Sequence, residues 1–141
     1  MWVHDMSNFT SPESVILGYA RAYDTLDIEA VNDCFSADAE FSYAIDGQPE
    51  VHTFIGRESI VEMNAATISA QTGFGRRRHV VSNLEGSIHG DMATFTCYLT
   101  LLLATSEGMS LITSGEYSDV LERSDGSWRI QRRHLQLDLP F

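Results

Sequence analysis

The chain has no lysine: all nine of its basic residues are arginine, set against 20 acidic residues for a formal net charge of −11. Without lysine there is neither a Schiff-base nucleophile nor a P-loop lysine. The acidic balance disfavours general attraction to nucleic acid or to an anionic membrane, and chiefly supports solubility. Cysteine is also scarce. Cys34 and Cys97 fall in no C-x-x-C or zinc spacing, and two thiols cannot build a disulfide framework, so both are expected as small core residues in a reducing cytoplasm. No apolar run approaches membrane-spanning length, and no secretory hydrophobic segment precedes the first helical pattern, so a cytoplasmic location is expected. Asn8-Phe9-Thr10 matches a glycosylation sequon that, lacking an export signal, reads as chance. The HxH and HExxH spacings of metal sites are absent; His4, His52, His89 and His134 have no partner that the sequence identifies, and His52 and His89 read as surface.

What is present suits one folded domain. A length of 141 residues allows a single core, and 43% hydrophobic with 21% charged residues is ordinary for a globular chain. Residues 1–10 show no periodicity and read as an N-terminal tail, with Trp2 and Phe9 as candidates to pack on the body; residues 11–141 read as the domain. Ser11-Pro12 is an N-cap and N1 pair that starts a helix over 12–26. Asp27 caps a second, short helix burying Val31, Cys34 and Phe35. Residues 39–45 alternate as a strand, from which Tyr43 points inward, and Asp46-Gly47 with Pro49 marks a turn. After a short segment from Val51 to Ile55, Arg57 to Ser69 shows helical spacing through Ile60, Met63, Ala66 and Thr67, ended by Thr72-Gly73-Phe74-Gly75.

From Arg76 the period changes to two. Residues 76–88, 92–105, 110–123 and 128–138 read as long strands joined by turns at His89-Gly90-Asp91, Ser106-Glu107-Gly108 and Ser124-Asp125-Gly126, an antiparallel meander. In the second of these, Ala93, Phe95, Cys97, Leu99, Leu101 and Leu103 share the face expected to meet the helices. In the first, Arg77, His79, Val81, Asn83 and Glu85 share one side and Arg78, Val80, Ser82 and Leu84 the other; periodicity does not choose between them. The expected fold class is α+β: a curved antiparallel sheet, a cone-like half barrel, covered by three N-terminal helices and open to a pocket at one end.

The first helix carries the residue of most chemical interest. Ile16, Ala20 and Tyr23 form one stripe, with Tyr19 bordering it on one side and Asp24 on the other. Asp24 is either a solvated acid at a helix end or the partner of an imidazole such as His79. In the second case it would hold one tautomer and make the ring a general base.

Helices followed by a meander, Tyr-Asp near the end of helix one, Gly56-Arg57-Glu58 opening helix three, and Gly115-Glu116-Tyr117 followed by Asp125-Gly126-Ser127-Trp128-Arg129-Ile130 together resemble the nuclear transport factor 2-like superfamily. Within it the likeness is to the SnoaL-like group that includes scytalone dehydratase, over residues 12–135. The resemblance implies an Asp-His dyad of Asp24 and His79, with Tyr23 and Tyr43 holding a water against a substrate carbonyl. Asn83, on the same strand parity as His79, is a candidate pocket residue. Cys97 and Tyr117 stand where that group has other substrate-orienting residues, and Tyr19 and Tyr117 also read as core aromatics. The implied activity is a cofactor-independent lyase or isomerase that removes a proton next to a carbonyl and ends in dehydration, isomerisation or cyclisation. The implied partner is a small, largely apolar carbonyl compound, such as a polyketide, steroid or aromatic degradation product. No metal and no organic cofactor is needed.

Two other readings share the fold: a non-catalytic ligand-binding or assembly module, and an accessory β subunit of a ring-hydroxylating oxygenase. The Arg76-Arg77-Arg78 run suggests either attraction to a carboxylate or phosphate on a substrate, or ion pairs with neighbours among which Glu58, Glu85 and Asp119 are candidates. The Thr94, Thr96, Tyr98, Thr100 and Leu102 face predicts self-association, and the resemblance implies a homodimer or homotrimer.

Overall fold

The computed structural model describes residues 8–71 and 73–141; Trp2, His4 and Thr72 lie outside them. The elements are α1 (Pro12–Asp24), α2 (Ile28–Asp33), β1 (Phe35–Ile45), β2 (Val51–Ile55), α3 (Arg57–Gln71), β3 (Arg76–His89), β4 (Met92–Thr105), β5 (Gly108–Ser124) and β6 (Ser127–Leu137). The six strands form one curved, unclosed sheet in the order β2-β1-β6-β5-β4-β3. Four neighbour pairs are antiparallel, whereas β1 pairs β6 in parallel, with Phe41 opposite Arg133 and Tyr43 opposite Leu135. The expected meander is therefore β3 to β6, and the early strand joins it by a long-range pairing.

Local chemistry accounts for the helix ends. Ser11 Oγ accepts the Ser14 N–H at 3.1 Å and Ser14 Oγ accepts the Ser11 N–H at 3.3 Å, so two otherwise orphaned donors are met at the start of α1. Asp27 Oδ1 accepts the Ala30 N–H at the start of α2. Phe9 is tied to the domain: its N–H donates to Ser127 Oγ, its carbonyl accepts the Trp128 N–H, and its ring lies 3.0 Å from where a Cβ on Gly18 would stand.

The helices cover one face of the sheet, α1 over β3 and β6 and α3 over β1 and β2. Between them lies a core that includes Val15, Ile16, Phe35, Ile60, Leu121, Trp128 and Ile130, each at most 2% exposed. β4 buries Ala93, Phe95, Cys97, Leu99 and Leu101 as the alternation predicts, while Leu103 is only half-buried. In α3 the buried positions are Ile60, Asn64 and Ile68, and Ala66, expected inside, is exposed. In β3, Val81 and Leu84 both pack against the core, because a bulge between Ser82 and Glu85 shifts the register by one residue. Asn83 sits in that bulge at φ 52°, a left-handed conformation that asparagine tolerates better than most residues.

Candidate active site

Asp24 ends α1, where a carboxylate meets the negative end of the helix dipole, a placement that costs roughly 0.3–1 kcal/mol unless donors face it. His79 supplies those donors. β3 is the outer strand of the sheet, and the His79 backbone N–H on its free edge donates to both Asp24 oxygens at 3.0 Å. The imidazole Nδ1 lies 2.6 Å from Asp24 Oδ1, and the two side chains are 8% and 13% exposed. A carboxylate only accepts, so Nδ1 carries a proton, and in the neutral ring the free lone pair is then on Nε2. Nε2 makes no hydrogen bond among the described residues. The backbone bond and the ring bond come from the same residue, so the acid fixes both the position and the tautomer of His79.

A cavity of about 120 Å³ opens beside the ring. Its wall contains His79, Tyr23, Tyr43, Tyr19 and Tyr117, with Met63, Asn64, Thr67 and Gln71 from α3 and Leu99, Leu101, Thr113 and Leu135 from the sheet. The Tyr23 ring tilts against His79 with centroids 4.6 Å apart. Burial pushes the Tyr23 hydroxyl up to about 12, only partly offset by its bond with Thr67 and the charge of Arg77, so it is a neutral donor at ordinary pH. Tyr43 is half-buried, stacked on His52 at 4.6 Å, with the ring of Phe141 edge-on at 6.1 Å. The Tyr19 hydroxyl donates to Asn64 Oδ1 at 3.2 Å, and burial raises its pKa well above the ordinary phenol value.

Two expected pocket residues are placed elsewhere. Asn83 is exposed, since the bulge turns it out of the parity it would otherwise share with His79. Cys97 is 1% exposed but lies behind the cavity wall, paired across the ladder with Tyr117; burial pushes its thiol up to about 11.

Beneath the aromatic wall lies an ion pair that patterning did not single out. Arg133 Nε and Nη2 donate to Asp119 Oδ1 and Oδ2 at 2.7 and 2.9 Å, in a pair at most 1% exposed. The guanidinium carbon is 3.8 Å from the Tyr117 ring centroid and 4.7 Å from that of Tyr19. Burial alone would lower the Arg133 pKa, but Asp119 outweighs it and holds the group firmly charged. Asp119 had been one of three candidate partners for the arginine run; its partner is Arg133, its direct cross-strand neighbour. Asn64 and Gln71 were also missed. Their spacing with Ile60 and Thr67 continues the inner stripe of α3, and that spacing is the signal that would have found them.

On the other side of the dyad runs a broad open groove of about 1060 Å³. Arg21, Asp24, Arg76, Arg77 and Arg78 line it, and His79 and Gln71 border both spaces. Among the described residues no three histidine, cysteine, aspartate or glutamate side chains cluster as a metal site would require, and no helix is long and apolar enough to cross a membrane.

Comparison with known proteins agrees with this architecture. No protein of curated function matches the chain in sequence. Among solved structures, Rv3472 from Mycobacterium tuberculosis, a protein of unknown function in a variant with one aspartate replaced by asparagine, is 31% identical; the match covers 89% of this chain and 69% of that one, with a TM-score of 0.73. A protein from Novosphingobium aromaticivorans described as NTF2-like with a cystatin-like fold is 24% identical over 88% of this chain and 77% of its own, at a TM-score of 0.74. Another from the same organism, provisionally named a scytalone dehydratase, is 22% identical over 90% and 81%, also at 0.74. These last two share the fold. The profile of the SnoaL-like domain matches residues 13–134, which is nearly the whole chain, and the protein therefore belongs to the SnoaL-like domain family, with the NTF2-like fold.

Proposed function

We propose that the chain is a cofactor-independent lyase or isomerase in which His79, held by Asp24, removes a proton from carbon next to a carbonyl. The observation that carries this reading is the 2.6 Å contact between Nδ1 and Asp24, which leaves Nε2 as the basic nitrogen of a side chain in the cavity wall. Nε2 takes the proton, and the C–H electron pair moves onto the carbonyl oxygen as an enolate. Tyr23 and Tyr43 stabilise that oxygen by hydrogen bonding, directly or through a water. When the enolate re-forms its carbonyl it expels a hydroxyl from the β carbon, which leaves as water with the proton held on Nε2. If no leaving group is present, returning the proton to another carbon gives isomerisation.

The test is α-proton exchange in D2O, followed by proton NMR over a panel of small enolisable ketones. Wild-type protein should speed exchange for at least one of them, with Asp24→Asn and His79→Ala each losing about 10²–10⁴-fold. A panel member that binds to wild type without exchanging would make the protein a binding module. Equal exchange by wild type and both variants would remove the dyad from the chemistry.

The exposed face of β4 supports a second statement, that the protein self-associates. Tyr98 is 50% exposed on it, flanked by half-buried Thr96, Thr100 and Leu102.

A further inference from the structure

The two spaces beside the dyad differ in size and charge, and the difference constrains the substrate. The inner cavity, at about 120 Å³, is smaller than the roughly 150 Å³ dry cavity that takes one benzene molecule. It can hold the reacting carbonyl unit and little more. His79 and Gln71 border both spaces, so the remainder of a larger substrate can extend past them into the outer groove.

That groove is cationic in a chain whose formal net charge is −11. Arg21, Arg76, Arg77 and Arg78 line it, Asp24 is the only acid among its described lining residues, and Asp24 is already bound by His79. None of the four arginines makes an ion pair with a carboxylate among the described residues; Arg78 donates only to the Arg77 carbonyl. Among the described residues, Arg77 Nε is buried without an acceptor, and Gln71 Oε1, at the junction of the two spaces, is buried without a donor. A buried donor without an acceptor disfavours the ligand-free state, and the concentration of positive charge along one groove adds to that. An anion seated in the groove relieves both.

We propose that the outer groove is an anion subsite, and that the substrate is an enolisable carbonyl compound bearing a carboxylate or phosphate, its carbonyl end in the inner cavity and its anionic end on Arg76, Arg77 and Arg78. This deepens the reading of Asp24 and His79 given above and rests on it for the position of the carbonyl. Guanidinium groups suit this task because their fixed fork of donors matches two oxygens of either anion.

The experiment is a calorimetric titration of the whole protein with 4-oxopentanoate, a methyl ketone carrying a carboxylate, and with its neutral methyl ester. The acid should bind at least about tenfold tighter than the ester at low salt, with the gap narrowing as ionic strength rises. In the Arg76→Gln/Arg78→Gln double variant the gap should fall below about threefold while the ester is unaffected; both side chains are exposed, so folding should be preserved. Displacement of the acid by inorganic phosphate more than by acetate assigns the natural group as a phosphate, and the reverse order assigns it as a carboxylate. Equal binding of acid and ester, no binding of the acid, or a gap unchanged in the double variant overturns the subsite. Because the readout is binding, His79→Ala should keep the gap while losing proton exchange, so failure of the dyad and failure of the subsite give different results.

Discussion

Removing the carboxylate of Asp119 should be among the most damaging single changes in this domain. Arg133 is 1% exposed, clamped by Asp119 through two charged hydrogen bonds and sandwiched between the rings of Tyr19 and Tyr117. One of its nitrogens, Nη1, already has no hydrogen-bond partner among the described residues, so none of them offers a spare acceptor to replace the carboxylate. Asp119→Ala therefore leaves a buried, uncompensated guanidinium, a situation that costs about 3–5 kcal/mol and corresponds, for a domain of this size, to a melting point lowered by roughly 10–20 °C. The double variant Asp119→Leu/Arg133→Met removes both charges and keeps most of the volume, and should recover most of the loss. Thermal unfolding by circular dichroism, with urea midpoints as a second measure, decides it. A single variant that loses less than about 1 kcal/mol, or a double variant no more stable than the single, would refute the claim that the pair is buried and mutually dependent.

Stability should also fall in alkali for reasons that can be assigned. Burial pushes Cys34 and Tyr23 up to about 12 and Cys97 up to about 11, whereas thiols and phenols in the unfolded chain ionise near 9 and 10. Above about pH 9 the unfolded state binds fewer protons than the folded one, so stability present below that pH is lost progressively up to about pH 12. Urea midpoints across that range should fall, and a flat or rising profile would contradict the burial of these groups. Self-association through β4 predicts that Tyr98→Glu lowers the mass seen by light scattering after size exclusion, without changing the melting point of the dissociated form by more than about 0.5 kcal/mol equivalent; a wild-type monomer would dispose of this idea.

The parts of the fold readable beforehand were those governed by local chemistry. Ser11-Pro12 announces a capped helix, and the alternation from Ala93 to Leu101 shows which side of β4 is buried, because cap geometry and the two-residue strand period act over a few residues. Patterning failed where long-range packing or a register shift intervenes. Nothing near Tyr43 announces that its strand pairs in parallel with β6, some ninety positions later. The bulge at Asn83 inserts one residue and so reverses the face on which every later β3 side chain falls; counting by twos carried Asn83 into the pocket for that reason. Asp119 and Arg133 look like ordinary surface charges until β5 and β6 place them opposite each other on the inner face. Asp24 and His79 lie between these extremes: either residue alone is unremarkable, their pairing across 55 positions is one of two readings of the helix end, and the family resemblance favours it.

The central claim is that Asp24 fixes His79 with its proton on Nδ1 and Nε2 free to accept another. Long-range proton–nitrogen-15 correlation of the His79 ring measures this directly. The account predicts the Nδ1–H tautomer with a strongly deshielded Nδ1 proton, both lost in Asp24→Asn. A ring protonated on Nε2, or a tautomer mixture indifferent to Asp24, would contradict it.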